Sequence, residues 1–215
     1  LSRYIPRDAV VADVGGHSGQ FAKLFAGMAP AGRIYTFEPG AYPRSILDVA
    51  IRMRRLNNVT LVPKGLGDKP STLELSTPVK VRGSLRFGLA HMGSARAGTG
   101  DRAGESLQSE SVEVTTLDRF VADVGLTRLD FLKADIEGWE QRMLEGGKAT
   151  IEKFRPVILI ELVDAHLVRA GNTLDSAWEL LTDWGYAPNR WTGGTKLEPL
   201  SDLWEGDSIW LPPAA

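Results

Sequence analysis

Four acidic residues, Asp13, Glu38, Asp135 and Glu161, stand where short apolar runs of the chain give out, and Gly65 stands at the end of a fifth. A carboxylate after a buried strand costs free energy unless it is paired, solvated or serves a ligand. In an open α/β sheet, ligands sit outside the carboxyl ends of the strands, so these groups can converge on one crevice. Between the first two acids lies the glycine cluster Gly15-Gly16-His17-Ser18-Gly19. A strand, a glycine turn and a helix present backbone N–H groups and a positive dipole end to a ligand. Glu38 lies nineteen positions past Gly19, a spacing at which a carboxylate can accept hydrogen bonds from both hydroxyls of a ribose. That spacing suits a nicotinamide cofactor and S-adenosylmethionine equally. The glycine order separates them: the turn reads G-G-H-S-G rather than G-x-G-x-x-G, and His17 occupies the place where a pyrophosphate needs close backbone approach. S-adenosylmethionine has no pyrophosphate and tolerates a side chain there. Taken alone, the motif also fits an ordinary tight turn.

Other residues offer acid–base chemistry. His91, beside Met92-Gly93-Ser94, is either an exposed loop histidine or a base that removes a hydroxyl proton. Glu161 can be a base, a metal ligand or simply a strand-end acid. Glu137 is expected to brace its own loop by accepting backbone N–H groups near the next helix start. Asp164 and His166 follow Glu161 closely enough to suggest a metal cluster with Asp135. No compact ligand pattern of the H-E-x-x-H kind supports one, so no metal is expected.

These residues need elements to position them, and the chain alternates short apolar runs with amphipathic segments, as a parallel sheet covered by helices does. Strands are expected at 10–14, 33–37, 59–62, 130–134 and 157–160. Helices are expected after Phe21, over 45–56 with Ile46, Val49, Ala50, Met53 and Leu56 on the buried face, from Trp139 to Phe154, and from Leu174 to Trp184. Gly146-Gly147 weakens the third of these and can split it. Two C-terminal strands near 186–191 and 208–211 complete the sheet as a hairpin. Leu73-Glu74-Leu75 and Val112-Glu113-Val114 alternate as half-exposed strands. Residues 75–100 between them hold no acid, five glycines and the cations Lys80, Arg82, Arg86 and Arg96. A long loop or lid at about 76–110 is the expectation, and its charge favours an anionic acceptor.

Composition narrows the class. At 215 residues one domain, 1–215, is the default, and a formal charge of −2 argues against coating nucleic acid. No uncharged run reaches ten residues, so neither a membrane span nor a signal-peptide core is expected. The absence of cysteine removes disulfides, thiolate metal sites and thiol nucleophiles, and fits a cytoplasmic, reducing setting. Trp184, Trp191, Trp204 and Trp210 crowd the end of the chain, where core packing or a homo-oligomer interface is expected.

With Val11-Ala12-Asp13-Val14-Gly15-Gly16-His17-Ser18-Gly19, Phe37-Glu38-Pro39 and Leu132-Lys133-Ala134-Asp135-Ile136-Glu137-Gly138-Trp139-Glu140 in view, the chain resembles the FkbM-type methyltransferases. The last segment resembles the family's L-K-x-D-x-E-G-x-E signature, and the match runs from about Val10 to about Leu211. The resemblance implies a class I, Rossmann-like α/β fold with a seven-stranded, mostly parallel sheet and a C-terminal antiparallel hairpin. It implies S-adenosylmethionine as donor and O-methylation of a small molecule or sugar. By position, Asp13, Gly15, Gly16, His17 and Gly19 would surround the methionine part of the cofactor. Glu38, followed by Pro39, would hold the ribose, and Lys64-Gly65-Leu66 would border adenine. Asp135 would lie beside the amino group or the methyl-transfer centre, with His91 and Glu161 as further catalytic candidates. His17 stands where the family commonly has asparagine, and Gly65 where many class I enzymes carry an acid. An NAD-dependent oxidoreductase on a similar fold and a non-catalytic nucleotide-binding module are the competing expectations.

Overall fold

A computed structural model describes residues 1–80, 91–92, 105–193 and 196–213, with 76–80, 91–92 and 105–108 described as backbone alone. The first half alternates strictly: β1 (Val10–Val14), α1 (Gln20–Met28), β2 (Arg33–Phe37), α2 (Ala41–Met53) and β3 (Val59–Val62). Then come β4 (Gly65–Leu66), β5 (Ser71–Lys80), β6 (His91–Met92) and β7 (Glu105–Thr115). The alternation resumes through α3 (Leu117–Val124), β8 (Phe131–Ala134), α4 (Glu140–Glu145), α5 (Lys148–Phe154) and β9 (Val157–Leu162). The chain continues with α6 (Asp164–Arg169), α7 (Leu174–Asp183), β10 (Ala187–Trp191), β11 (Leu197–Pro199) and β12 (Gly206–Leu211). Among the described residues no helix is long and apolar enough to cross a membrane.

The main sheet runs β11-β10-β12-β9-β8-β1-β2-β3. Its β9-β8-β1-β2-β3 part is parallel, and β12 enters antiparallel between β9 and β10. Strand order reverses at β1, between β8 and β2, which opens a crevice at the carboxyl ends there. The expected seven strands are eight, because Leu197–Pro199 adds a short edge strand to β10. The expected C-terminal hairpin is therefore a three-stranded unit with β10 in its middle. Apolar residues fill both faces. One layer gathers Phe37, Leu132, Met143, Ile160 and Trp210. The other gathers Ile5, Val11, Phe25, Ile34 and Phe131.

Three local features have physical causes. Gly146-Gly147 does split the helix after Trp139, into α4 and α5. On α2 the inward stripe is centred on Leu47, with Ile46, Ala50 and Ile51 partly buried beside it, whereas Val49 is 53% and Met53 80% exposed. The strands around Leu73 and Val112 extend much further than their apolar alternation. β5 and β7 pair antiparallel in register from Ser71↔Val114 to Lys80↔Glu105, in a separate sheet ordered β4-β7-β5-β6. Backbone hydrogen bonds carry that pairing through polar stretches that hydropathy does not mark. Of the basic residues assigned to the lid, Arg82, Arg86 and Arg96 lie outside the described residues.

Candidate active site

The glycine turn closes onto β2 and β8. Gly15 and Gly19 have φ of +82° and +85°, and His17 between them has φ +43°. A Cβ on Gly15 would stand 1.9 Å from the Asp135 carbonyl oxygen, so only glycine admits the loop after β8 at this distance. The N–H groups of Gly15 and Gly16 both donate to the Phe37 carbonyl, at 3.1 and 2.9 Å. His17 N–H donates to Glu38 Oε2 at 2.8 Å, and Gly19 N–H to the Gly16 carbonyl at 2.8 Å. These N–H groups were expected to meet a ligand; instead they hold the wall of the crevice.

Glu38 is 5% exposed and also accepts Gly40 N–H through Oε1, at 2.9 Å. Burial pushes its carboxyl above the ordinary range, against His17 and these two hydrogen bonds. Each oxygen keeps one further acceptor position. A ribose hydroxyl on each is therefore compatible with the observed bonds. Pro39 is half-buried, and its carbonyl accepts from Arg44 Nη1 at 2.5 Å.

Beneath the turn, Asp13 is 0% exposed and accepts the Thr36 hydroxyl at 2.9 Å. It was expected beside the methionine part of a cofactor. Its carboxylate is enclosed by the sheet, so it acts from below the turn. Its partner there escaped the sequence reading. Lys133, 2% exposed in β8, donates from Nζ to the Gly15 carbonyl at 2.9 Å and to Val14 at 3.2 Å. The same ammonium stands 3.4 Å from Asp135 Oδ2, 3.9 Å from Asp13 Oδ1 and 5.2 Å from the centre of the Phe21 ring. One buried cation thus ties the glycine turn, its supporting acid and the acid after β8 together. The signal was a lone lysine in an otherwise apolar four-residue strand.

The crevice, about 300 Å³, is lined by the turn from Gly15 to Ser18 with Gln20 and Phe21, and opposite them by Lys133, Asp135, Glu137 and Glu161. Glu161, one residue before the end of β9, is pushed up to about 7 by burial, by the charges of Asp135 and Asp207 and by a hydrogen bond with Asp135. Asp207 reaches it from β12, where it is the register partner of Glu161. Asp207 too is raised, first by burial and then by Asp135. Crowded carboxylates of this kind hold a proton near neutrality unless a cation joins them.

The loop after Asp135 works differently from expectation. Glu140, 2% exposed, is the brace, accepting Ile136 N–H at 2.8 Å and Gly138 N–H at 2.9 Å. Glu137 faces the crevice instead, with φ +56°, and His166 Nδ1 lies 3.0 Å from its Oε2. Burial, then Asp135 and Glu140, push Glu137 up to about 7. The remaining candidates lie elsewhere. Gly65 and Leu66 pair as β4 with Val114 and Thr115, the Leu66 side chain is fully buried, and Lys64 is ion-paired with Glu113 at 2.5 Å. His91 is placed only as backbone, paired with Ser76. Among the described residues no group of three or more acids and histidines is arranged to hold a metal ion.

A family model described as the Methyltransferase FkbM domain matches residues 13–188, most of the chain and every residue that lines this crevice. The chain belongs to the FkbM methyltransferase family. It is 25% identical over 182 residues to 2-O-methyltransferase NoeI of Sinorhizobium fredii, covering 81% of this chain and 71% of that protein. Among solved structures, methyltransferase FkbM from Methylobacillus flagellatus superposes with a TM-score of 0.58 at 17% identity. That match covers 95% of this chain but only 44% of the longer Methylobacillus chain. A Streptococcus mutans protein solved in complex with SAH superposes at TM-score 0.52 and 8% identity, covering 99% of this chain and 93% of that one. The fold is that of the class I methyltransferases. This FkbM domain is an S-adenosylmethionine-dependent methyltransferase.

Proposed function

We propose that the domain transfers the methyl group of S-adenosylmethionine to a hydroxyl oxygen of a sugar or other small molecule. The observation that carries this reading is an acidic crevice at the point where strand order reverses, walled by a glycine turn whose N–H groups are mostly bonded to the end of β2 and to Glu38. Bound there, the donor supplies an electrophilic methyl group on a sulfonium and also carries an ammonium group. Asp135 and Glu161 suit those cations, and Glu38 has one acceptor position per oxygen left for the ribose. A pyrophosphate would meet Asp135, Glu137 and Glu161 with like charge, which disfavours NAD. Asp135, fixed by Lys133, would hold the donor's ammonium and align the acceptor oxygen behind the methyl group. The likeness to a 2-O-methyltransferase supports oxygen as the acceptor atom.

The paired strands β5 and β7 carry the segment 76–110, which we read as the lid over the acceptor. Glu110 at its base accepts Ala41 N–H at 3.0 Å, which fixes the arm beside the start of α2 and Glu38. An anionic acceptor is the finer form of this reading, from the charge of Lys80, Arg82, Arg86 and Arg96 in the sequence. A cytoplasmic location belongs to it as well, since a chain without cysteine suits a reducing compartment.

Calorimetry tests the donor: S-adenosylmethionine and S-adenosylhomocysteine bind and NAD does not. Glu38→Ala is expected to weaken S-adenosylhomocysteine binding by about 1–3 kcal/mol, the loss typical of hydrogen bonds to a charged group. Unchanged affinity would remove Glu38 from the ribose. Isotopically labelled methyl donor, incubated with sugars with and without carboxylate or phosphate groups, then identifies the acceptor class.

A further inference from the structure

His166 stands behind Glu137, which lines the crevice, and more than its own helix holds it there. Its Nδ1 lies 3.0 Å from Glu137 Oε2, and the two side chains are 24% and 12% exposed. Glu137 holds a left-handed backbone at φ +56°, and Gly138 follows at φ +108°. A Cβ on Gly138 would lie 2.2 Å from the His166 carbonyl oxygen, so glycine alone lets this loop dock on α6 so closely. Glu140 then locks the loop from within through Ile136 and Gly138. Strained backbone maintained by its surroundings points to function when it brings side chains into a cleft.

We propose that His166 is the base that takes the acceptor's hydroxyl proton during methyl transfer, with Glu137 orienting its ring. This rests on reading the crevice as a hydroxyl methyltransferase site. A carboxylate that accepts Nδ1–H leaves the lone pair of Nε2 to receive a proton. Among the described residues Nε2 has no hydrogen-bond partner. Glu161 is a weaker choice, because it is already hydrogen-bonded to Asp135. In the step, the acceptor O–H bond breaks as Nε2–H forms, and the new O–C bond forms as the S–C bond breaks. The S–C electron pair stays on sulfur as a neutral thioether, and the imidazolium later releases its proton to solvent. The contact between Nδ1 and Oε2 is not yet aligned as a hydrogen bond, since Oε2 accepts none. Such contacts tighten when ligands fill the site.

The charges facing this pair come from several elements. Asp135 precedes Glu137 in the loop, Glu140 lies on α4, Arg169 on α6 and Glu161 on β9, with Glu205 just before β12. Burial and then Arg169 hold His166 below its ordinary range, against Asp135 and Glu205. The ring is therefore neutral at about pH 8, where Glu137 is ionised.

The test has two arms. With an acceptor in hand, His166→Gln is expected to lower kcat by about 10²–10⁴-fold and to remove the rising limb of its pH profile, with KM for the donor within about threefold. Glu137→Gln is expected to lower kcat less and to displace that limb. A His166→Gln enzyme that binds S-adenosylhomocysteine normally and keeps kcat within about threefold, or keeps the rising limb, overturns the proposal. Nitrogen-15 NMR of the wild-type histidine rings at about pH 8 needs no acceptor and no stable variant. An Nδ1-protonated, neutral His166 is expected, and an Nε2-protonated ring overturns the pairing with Glu137. If the wild type methylates no hydroxyl compound at all, the functional reading fails on its own, and the tautomer still judges the pair.

Discussion

Lys133 is almost without access to water, and its ammonium meets two carbonyls, Asp135 and the enclosed Asp13. Removing one partner of a buried charge pair leaves the other uncompensated, which typically costs about 3–5 kcal/mol. Lys133→Met is therefore expected to lose stability of that order in urea melts and to weaken S-adenosylhomocysteine binding severalfold by releasing Asp135. An unchanged urea midpoint would show that Asp13 does not depend on the lysine. At this scale the sequence showed which acids stand at the strand ends but not how each is held. Asp13, Glu38, Asp135 and Glu161 were legible because they interrupt apolar runs. The division of labour between Glu137 and Glu140 was not, since it follows from the positive φ of Glu137, which turns that side chain into the crevice. The enclosure of Asp13 was not legible either, since β1 is buried on both faces and the acid meets Thr36 and Lys133 there.

The glycine turn and the loop after β8 behave as one unit, because they touch where no side chain fits. Gly15→Ala would combine a left-handed backbone with a methyl group 1.9 Å from the Asp135 carbonyl. Gly125, at the end of α3, offers the control, with φ +66° and open space around its Cβ position. Gly125→Ala is expected to cost only the left-handed penalty, about 1–2 kcal/mol. Gly15→Ala should cost clearly more, and it alone should impair donor binding; equal midpoints in thermal melts would refute the steric link between the two loops. Element positions in the first half followed from alternation and glycine, and the split of α4 from α5 followed from Gly146-Gly147. What stayed hidden was short or polar. β11 has three residues and α6 has six. α3 was legible and went unread: Leu117, Phe120, Val121 and Val124 stand at helical spacing between the Thr116 cap and Gly125. The β5–β7 pairing runs through serines, threonines and glutamates, where backbone bonding leaves no hydropathy signature.

Across the whole molecule, raised carboxyls bind protons more tightly in the folded chain than in the unfolded one. Glu137 and Glu161 move from 4.5 to about 7, and Glu38, Glu140 and Asp207 move in the same direction. Between about pH 4.5 and 7 the native state holds more protons, so stability falls as pH rises through that window. The Tm of the ligand-free domain is expected to be higher near pH 5.5 than near pH 8, and saturating S-adenosylmethionine should flatten the decline by favouring the ionised carboxylates. A Tm that climbs over this range would mean these acids are not proton-bound in the native state. The sheet order has a consequence of another kind. Strand β12 slots between β9 and β10, although Ser208 follows its partner Ile160 by 48 positions. During synthesis on the ribosome, the Val-Ile-Leu-Ile edge of β9 emerges well before the strand that covers it. An open apolar edge of that composition invites pairing with other chains. Until residues 206–211 arrive, the nascent domain is at its most vulnerable to aggregation.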